Sequence, residues 1–151
     1  MHFSWLFNWA GKPWLTQKWN RDIVDRYYGF GVSNAYLGDE DQGQMSAWFV
    51  MSALGLFQTD GGTRKDPIYE IGSPLFERTV IHLDGRYGRG DTFTIVAEGV
   101  SDENRYVQSA RLNGKPLSTF WFPARELLGG GELRLIMGPT PAFGWGKLLR
   151  D

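Results

Sequence analysis

Apolar and polar positions along the chain follow two regimes. Up to about residue 57 they recur at helical spacing, and beyond it they alternate in short runs. Residues 2–10 carry Phe3, Trp5, Leu6, Phe7 and Trp9 and predict the end of a buried helix, stopped by Gly11. Pro13 suits the first turn of the next helix. Over residues 14–28, Leu15, Trp19, Ile23, Val24 and Tyr27 share one face, interleaved with Lys18, Arg21, Asp22 and Asp25. That spacing predicts an amphipathic helix with one face in water, ended by Gly29 and Gly31. Residues 30–38 read as a loop. Residues 42–57 are apolar nearly all round, from Met45 and Trp48 to Leu56 and Phe57, which predicts the most buried helix of the chain. An amphipathic helix followed by a buried one suggests the outer and inner rings of a helical toroid. A chain of 151 residues cannot close such a ring.

After residue 58 the pattern changes. TDGGTRKDP reads as a linker, and strands are expected at 69–71, 79–83, 92–97, 106–112, 117–122 and 132–137. Asn113-Gly114 is a type I′ hairpin signal between two of these runs. GRYGRG reads as another turn, and residues 123–128 as a helical turn followed by Gly129–Gly131. The expected fold is therefore α+β: helices over 1–57, forming part of a helical toroid, then an antiparallel β-rich region over 58–151.

Composition narrows the function. A net charge of −1 gives no basic footprint for nucleic acid. The chain has no cysteine, which excludes thiolate chemistry and disulfides within it. No stretch is long and apolar enough to span a bilayer, so no membrane partner is expected. The N-terminus lacks a basic n-region and cleavage site and carries no targeting signal. It opens within an apolar segment, which is expected of the C-terminal part of something longer.

The stretch with chemistry is Leu37 to Trp48, LGDEDQGQMSAW. It sets Asp39, Glu40 and Asp41 between Gly38 and Gly43, just before the buried helix. One reading is a capping box, with Asp41 at N-cap and Gln44 at N3. The other adds a site, because capping needs one or two acids and three adjacent carboxylates repel one another. A calcium loop of the EF-hand kind does not fit, since Gly43 stands where a third acidic ligand belongs. A D-x-D glycosyltransferase lacks its nucleotide-binding α/β pattern here. Arg89-Gly90-Asp91 reads as a charged turn and His82 as a structural strand residue. Ser46 lacks the strand–turn setting of a nucleophile. His2, beside the aromatic run, is a candidate pocket residue.

The block GDEDQGQMSAWFVMSALGLF resembles the signature of glycoside hydrolase family 92, the calcium-dependent α-mannosidases. HFSWLFNWAGKPWLTQKWNRDIVDRYYG before it, and YEIGSPLFERTVIHL, YVQSARLNGKPL and GPTPAFGWG after it, match in order. The resemblance implies an exo-acting, inverting hydrolase with an N-terminal β-sandwich and a C-terminal (α/α)6 toroid, periplasmic or secreted, acting on mannose-containing glycans. It implies that Asp41 is the general base, that Asp39 helps hold the attacking water and that Glu40 belongs to the loop's own structure. His2 stands as a candidate substrate contact. Calcium is implied as the cofactor, with no metal ligand expected in this stretch. An inverting pair needs its acid roughly 6.5–9.5 Å from its base, across the sugar. Asp39 and Asp41 would lie on one side of the ring and cannot be that pair. The family's general acid and its N-E-P calcium segment lie upstream of the residues present. The missing N-terminal part of the parent is therefore an expected partner, the isolated piece is expected to be inactive, and self-association through exposed apolar helix faces is a further expectation. The alternative is a carbohydrate-binding or structural β module, which should display Tyr106, Trp121 and Phe122 in an exposed row.

Overall fold

The computed structural model describes residues 2–29, 35, 38, 40 and 42–147. A 3-10 turn, His2–Ser4, leads into α1 (Leu6–Trp9). Gly11 ends this segment with a φ of 70°, a conformation that only glycine adopts cheaply. Helix α2 (Pro13–Tyr27) starts on its proline, and α3 spans Gln44–Leu54. The strands are β1 (Leu56–Phe57), β2 (Ile68–Ile71), β3 (Arg78–His82), β4 (Thr92–Glu98), β5 (Tyr106–Leu112), β6 (Lys115–Pro116) and β7 (Trp121–Pro123). A short helix α4 (Ala124–Leu128) and strand β8 (Gly131–Gly138) follow.

The strands form two sheets. One is antiparallel, in the order β1-β2-β7, and the other runs β3-β4-β8-β5-β6. The larger sheet is mixed, because β8 inserts between β4 and β5 and runs parallel to β4. The α+β class expected from the sequence holds, with this one parallel pair added to an otherwise antiparallel region. Alternation along the strands builds the core. Phe93 and Ile95 of β4, Val107 of β5 and Leu133 and Leu135 of β8 are essentially inaccessible. They meet Leu56, Ile71 and Phe122 of the smaller sheet.

Asn113 and Gly114 form the expected tight turn, with φ of 50° and 78°. The strand after it differs from the expectation over 117–122. Pairing on β5 covers Lys115 and Pro116 and ends as Leu117 N–H donates to Ala110 O at 2.9 Å. The chain then changes sheets, and Phe120 O accepts from Ile71 N–H at 2.7 Å before β7 begins. One apolar run therefore serves two sheets. Gly90, in the charged turn, lies so close to Gly129 that a Cβ there would meet the Gly129 carbonyl oxygen at 2.3 Å.

Helix α2 is turned from its expected orientation, although Val24 of the expected face is buried. Its buried stripe is Pro13, Thr16, Gln17, Asn20, Arg21 and Val24, while Trp19 and Tyr27 are exposed. The reason is what it packs against. Gln17 Oε1 accepts from Val107 N–H at 3.1 Å, and Arg21 donates to Pro74 O at 2.9 Å and Ser101 O at 3.2 Å. Backbone groups that would otherwise be orphaned take their partners from the polar stripe. Trp19 and Ile23 of the expected face instead line a groove of about 510 Å³ with Phe3, Leu6 and Phe7.

Helix α3 also departs from its expectation. Only Trp48, Ser52 and Ala53 are buried, Val50 is 54% exposed, and residues 56–57 form β1. Its apolar circumference exceeds what the rest of the chain covers.

The helical start is fixed to β2 by a buried carboxylate. Glu70 accepts from Asn8 Nδ2 at 3.2 Å, Trp9 Nε1 at 3.0 Å and Thr59 Oγ1 at 2.5 Å. Beside it, the Trp5 ring covers Gly72, where an added Cβ would meet Trp5 Cη2 at 2.6 Å. Gly72→Ala should therefore destabilise the chain by about 1–3 kcal/mol, the usual cost of overpacking. Urea unfolding monitored by tryptophan fluorescence measures it.

Candidate functional site

The acidic turn is held by Glu40. Helix α3 has Gly43 at its N-cap, in the left-handed region at φ 68°, so the cap differs from the expected Asp41–Gln44 box. The carboxylate comes from three residues earlier. Glu40 Oε2 accepts from Met45 N–H at 2.8 Å, and Oε1 accepts from Ser46 N–H at 2.7 Å and from the Ser46 hydroxyl. These are the N2 and N3 amides, which have no partner within the helix. Glutamate has the reach to serve them from outside the helix, and negative charge there suits the helix dipole. Gly43 N–H closes the turn onto Glu40 O at 3.2 Å. The hydrogen bond from the Ser46 side chain holds the Glu40 carboxyl below its usual range, reinforced by the two backbone amides.

Tyr28 supports the turn from below and was not singled out by its spacing in the sequence. Its hydroxyl donates to Met45 O at 3.0 Å. Its ring stacks on Trp48 and Phe49, with centroids 5.6 and 5.1 Å away. Burial, with the nearby Glu40 charge adding to it, pushes the phenol up to about 12. The clue in the sequence is position alone: a tyrosine just past a helix end, followed by glycine.

Asp39 and Asp41, the two candidate catalytic residues, lie outside the described residues, as does most of the 30–38 loop. His2 is exposed, with its ring edge-on to Phe57 at 5.6 Å. Phe57 follows the C-terminal end of α3, whereas the turn precedes its N-terminal end. Eleven helical residues rise about 16 Å. Among the described residues no group of three or more His, Asp or Glu side chains is disposed to hold a metal ion. They do not by themselves fit a calcium site.

Tyr106 and Trp121 are half-buried and Phe122 is fully buried, so the exposed aromatic row of a binding module is not displayed. His82 is exposed on the edge strand β3. No helix among the described residues is long and apolar enough to cross a membrane.

Helices feeding a two-sheet β region, with an anchored turn before α3, form a frame that comparison with known proteins assigns to the glycoside hydrolases. Residues 1–139 match the model of the glycosyl hydrolase family 92 catalytic domain, and the chain belongs to that family. An inverting mannosidase of the family from Bacteroides thetaiotaomicron superposes with a TM-score of 0.85 at 37% identity, over 97% of this chain and 19% of its own. An α-mannosidase of the family from the same species, solved with mannoimidazole, gives 0.86 at 31% identity, over 97% of this chain and 18% of its own. An uncharacterized secreted glycosidase of Arthroderma benhamiae is 29% identical over 148 residues, which is 98% of this chain and 18% of that protein. The chain thus spans about a fifth of the length of these relatives.

The lowered Glu40 pKa fixes a sign. Its contribution is present in full above the unfolded carboxylate value of about 4.3 and is lost as pH falls through the lower folded value. Thermal unfolding followed from about pH 6 to about pH 3 should show this loss. Glu40→Gln should lower the melting temperature near neutrality and flatten that part of the acid limb.

Proposed function

We propose that this chain supplies the general base of an inverting α-mannosidase, with Asp41 as the base and Asp39 holding the attacking water. The observation that carries the reading is the division of labour in the acidic turn. Glu40 meets the capping need of α3, so helix capping gives no reason for an aspartate on either side of it. Family membership supplies the reaction class, and the relatives named as mannosidases supply the substrate class.

The chemistry is direct displacement at the anomeric carbon. The Asp41 carboxylate takes a proton from water as that water attacks the face opposite the leaving group. Asp39 accepts the other hydrogen of the same water and aims its lone pair. The leaving oxygen needs a proton from a glutamic acid outside this stretch, so the chain by itself turns over no substrate. Calcium belongs to the parent-level reading, and no step here passes through it. A periplasmic or secreted setting agrees with a glycan substrate. His2, exposed beside Phe57, stands as a weaker candidate for a contact to the glycan.

The remaining part of the parent is the partner proposed for the apolar groove beside Phe3, Leu6 and Trp19. Exposed apolar patches of this kind call for a cover. The chain alone should bind an apolar dye or self-associate, and Phe3→Ser with Trp19→Ser should reduce both. A monodisperse, dye-silent monomer in light scattering would count against the idea.

The decisive experiment uses the full-length parent. Asp41→Asn keeps the size of the carboxylate but loses its basicity, and should cut kcat by about 10²–10⁴ with substrate binding largely retained. Asp39→Asn should cost less. Full activity in Asp41→Asn would return the turn to a purely structural role.

A further inference from the structure

A second concave surface lies across the smaller sheet from the acidic turn. With strand order β1-β2-β7, α3 feeds one edge and β7 forms the other. Beside β7, the β5–β6 hairpin and α4 enclose a pocket of about 420 Å³, inside the ~300–1,000 Å³ range of small-molecule sites. Strand alternation sends Phe122 into the core and leaves the neighbouring Trp121 half-buried at the pocket. Leu117 adds apolar surface, and Asn113, Lys115, Thr119 and Glu126 supply polar groups.

The polar groups are held in place. Asn113 Oδ1 accepts from Glu132 N–H at 2.9 Å and its Nδ2 donates to Glu126 Oε2 at 3.4 Å, which fixes the amide and steers the carboxylate. The Asn113-Gly114 turn holds the hairpin that carries them. An indole beside a carboxylate, an amide and an ammonium suits a pyranose. The C–H face of the sugar packs on the ring, hydroxyls donate to Glu126, and Lys115 and Asn113 donate to sugar oxygens. Lys115 and Glu126 balance each other's charge, which favours a neutral sugar over an ionic ligand. A purely apolar occupant would bury these groups without partners.

We infer that the Trp121–Glu126 pocket is a non-catalytic subsite for a neutral pyranose, separate from the acidic turn. It does not depend on Asp41 being a base. The test is a titration of the isotopically labelled 151-residue chain with methyl α-mannopyranoside and methyl α-glucopyranoside, read by amide and indole NMR. Saturable shifts are expected at the Trp121 indole N–H and at the Asn113 and Gly114 amides. Trp121→Ala should weaken binding about tenfold through lost ring contact. Glu126→Gln and Lys115→Ala, at less buried positions, decide the matter if Trp121→Ala does not fold, and each should weaken the same titration. Absence of saturable shifts at the pocket overturns the inference, as does unchanged affinity in these variants. Shifts confined to the Met45 and Ser46 amides also overturn it while leaving the proposed catalytic turn standing.

Discussion

Burying a polar side chain is costly unless hydrogen-bond partners surround it, and the helical start of this chain is attached through such a group, the Glu70 carboxyl. Glu70 is 1% exposed, on the central strand of the smaller sheet. Its donors are neutral and come from two separate stretches, Asn8 and Trp9 at the end of α1 and Thr59 after β1. Separating the helical start from the sheet would take the Asn8 and Trp9 donors from the carboxylate and leave it Thr59. The aromatic cluster around Trp5, Phe57 and Trp48 then packs in a defined position. That cluster carries the base of α3, and α3 carries the acidic turn. The chain of support therefore runs from one buried carboxylate to one half-buried carboxylate, Glu40, at the far end of a helix.

Helix α2 follows from the same constraint on polar groups. Its inward stripe satisfies backbone at β5 and near Pro74 and Ser101, so Trp19 and Tyr27 are left on the outer side. Hydrophobic burial is worth roughly 25 cal/mol per Å² wherever it occurs. An unpaired buried backbone group costs about 1–3 kcal/mol at one point. Apolar area can be covered by any fitting surface, whereas these amides and carbonyls take specific partners on α2. The polar stripe therefore sets the helix orientation, and the groove lined by Phe3, Leu6 and Trp19 is the consequence.

Periodicity made the element types legible, and it left their partners unread. Strand β5 falls on the expected residues, and the turn at Asn113-Gly114 is specified by its positive φ requirement. The face of α2 was misread because amphipathicity ranks residues by polarity and carries no knowledge of open backbone groups across the interface. The run 117–122 looked like one strand because a change of sheet leaves the apolar pattern intact. The parallel β4–β8 pair depends on long-range order that no local window contains. In the acidic turn the presence of a cap was legible, but the residue supplying it was assigned one position late. The capping-box spacing assumes a short side chain next to the helix, and Glu40 instead reaches across Gly43.

That reach explains how one turn can serve two purposes. A carboxylate that caps a helix accepts several N–H bonds and is held low in pKa, which makes it a poor base. A base needs a carboxylate whose proton affinity is not already spent on backbone donors. Placing both tasks on one residue would set them against each other. Here the longer glutamate takes the amides of Met45 and Ser46, with the Ser46 hydroxyl completing its shell. The shorter aspartates at 39 and 41 flank it in sequence, one on either side. Under the proposed reading, three adjacent acids, costly as a cap alone, divide the work: the middle one fixes the turn, and the outer two are left for the attacking water.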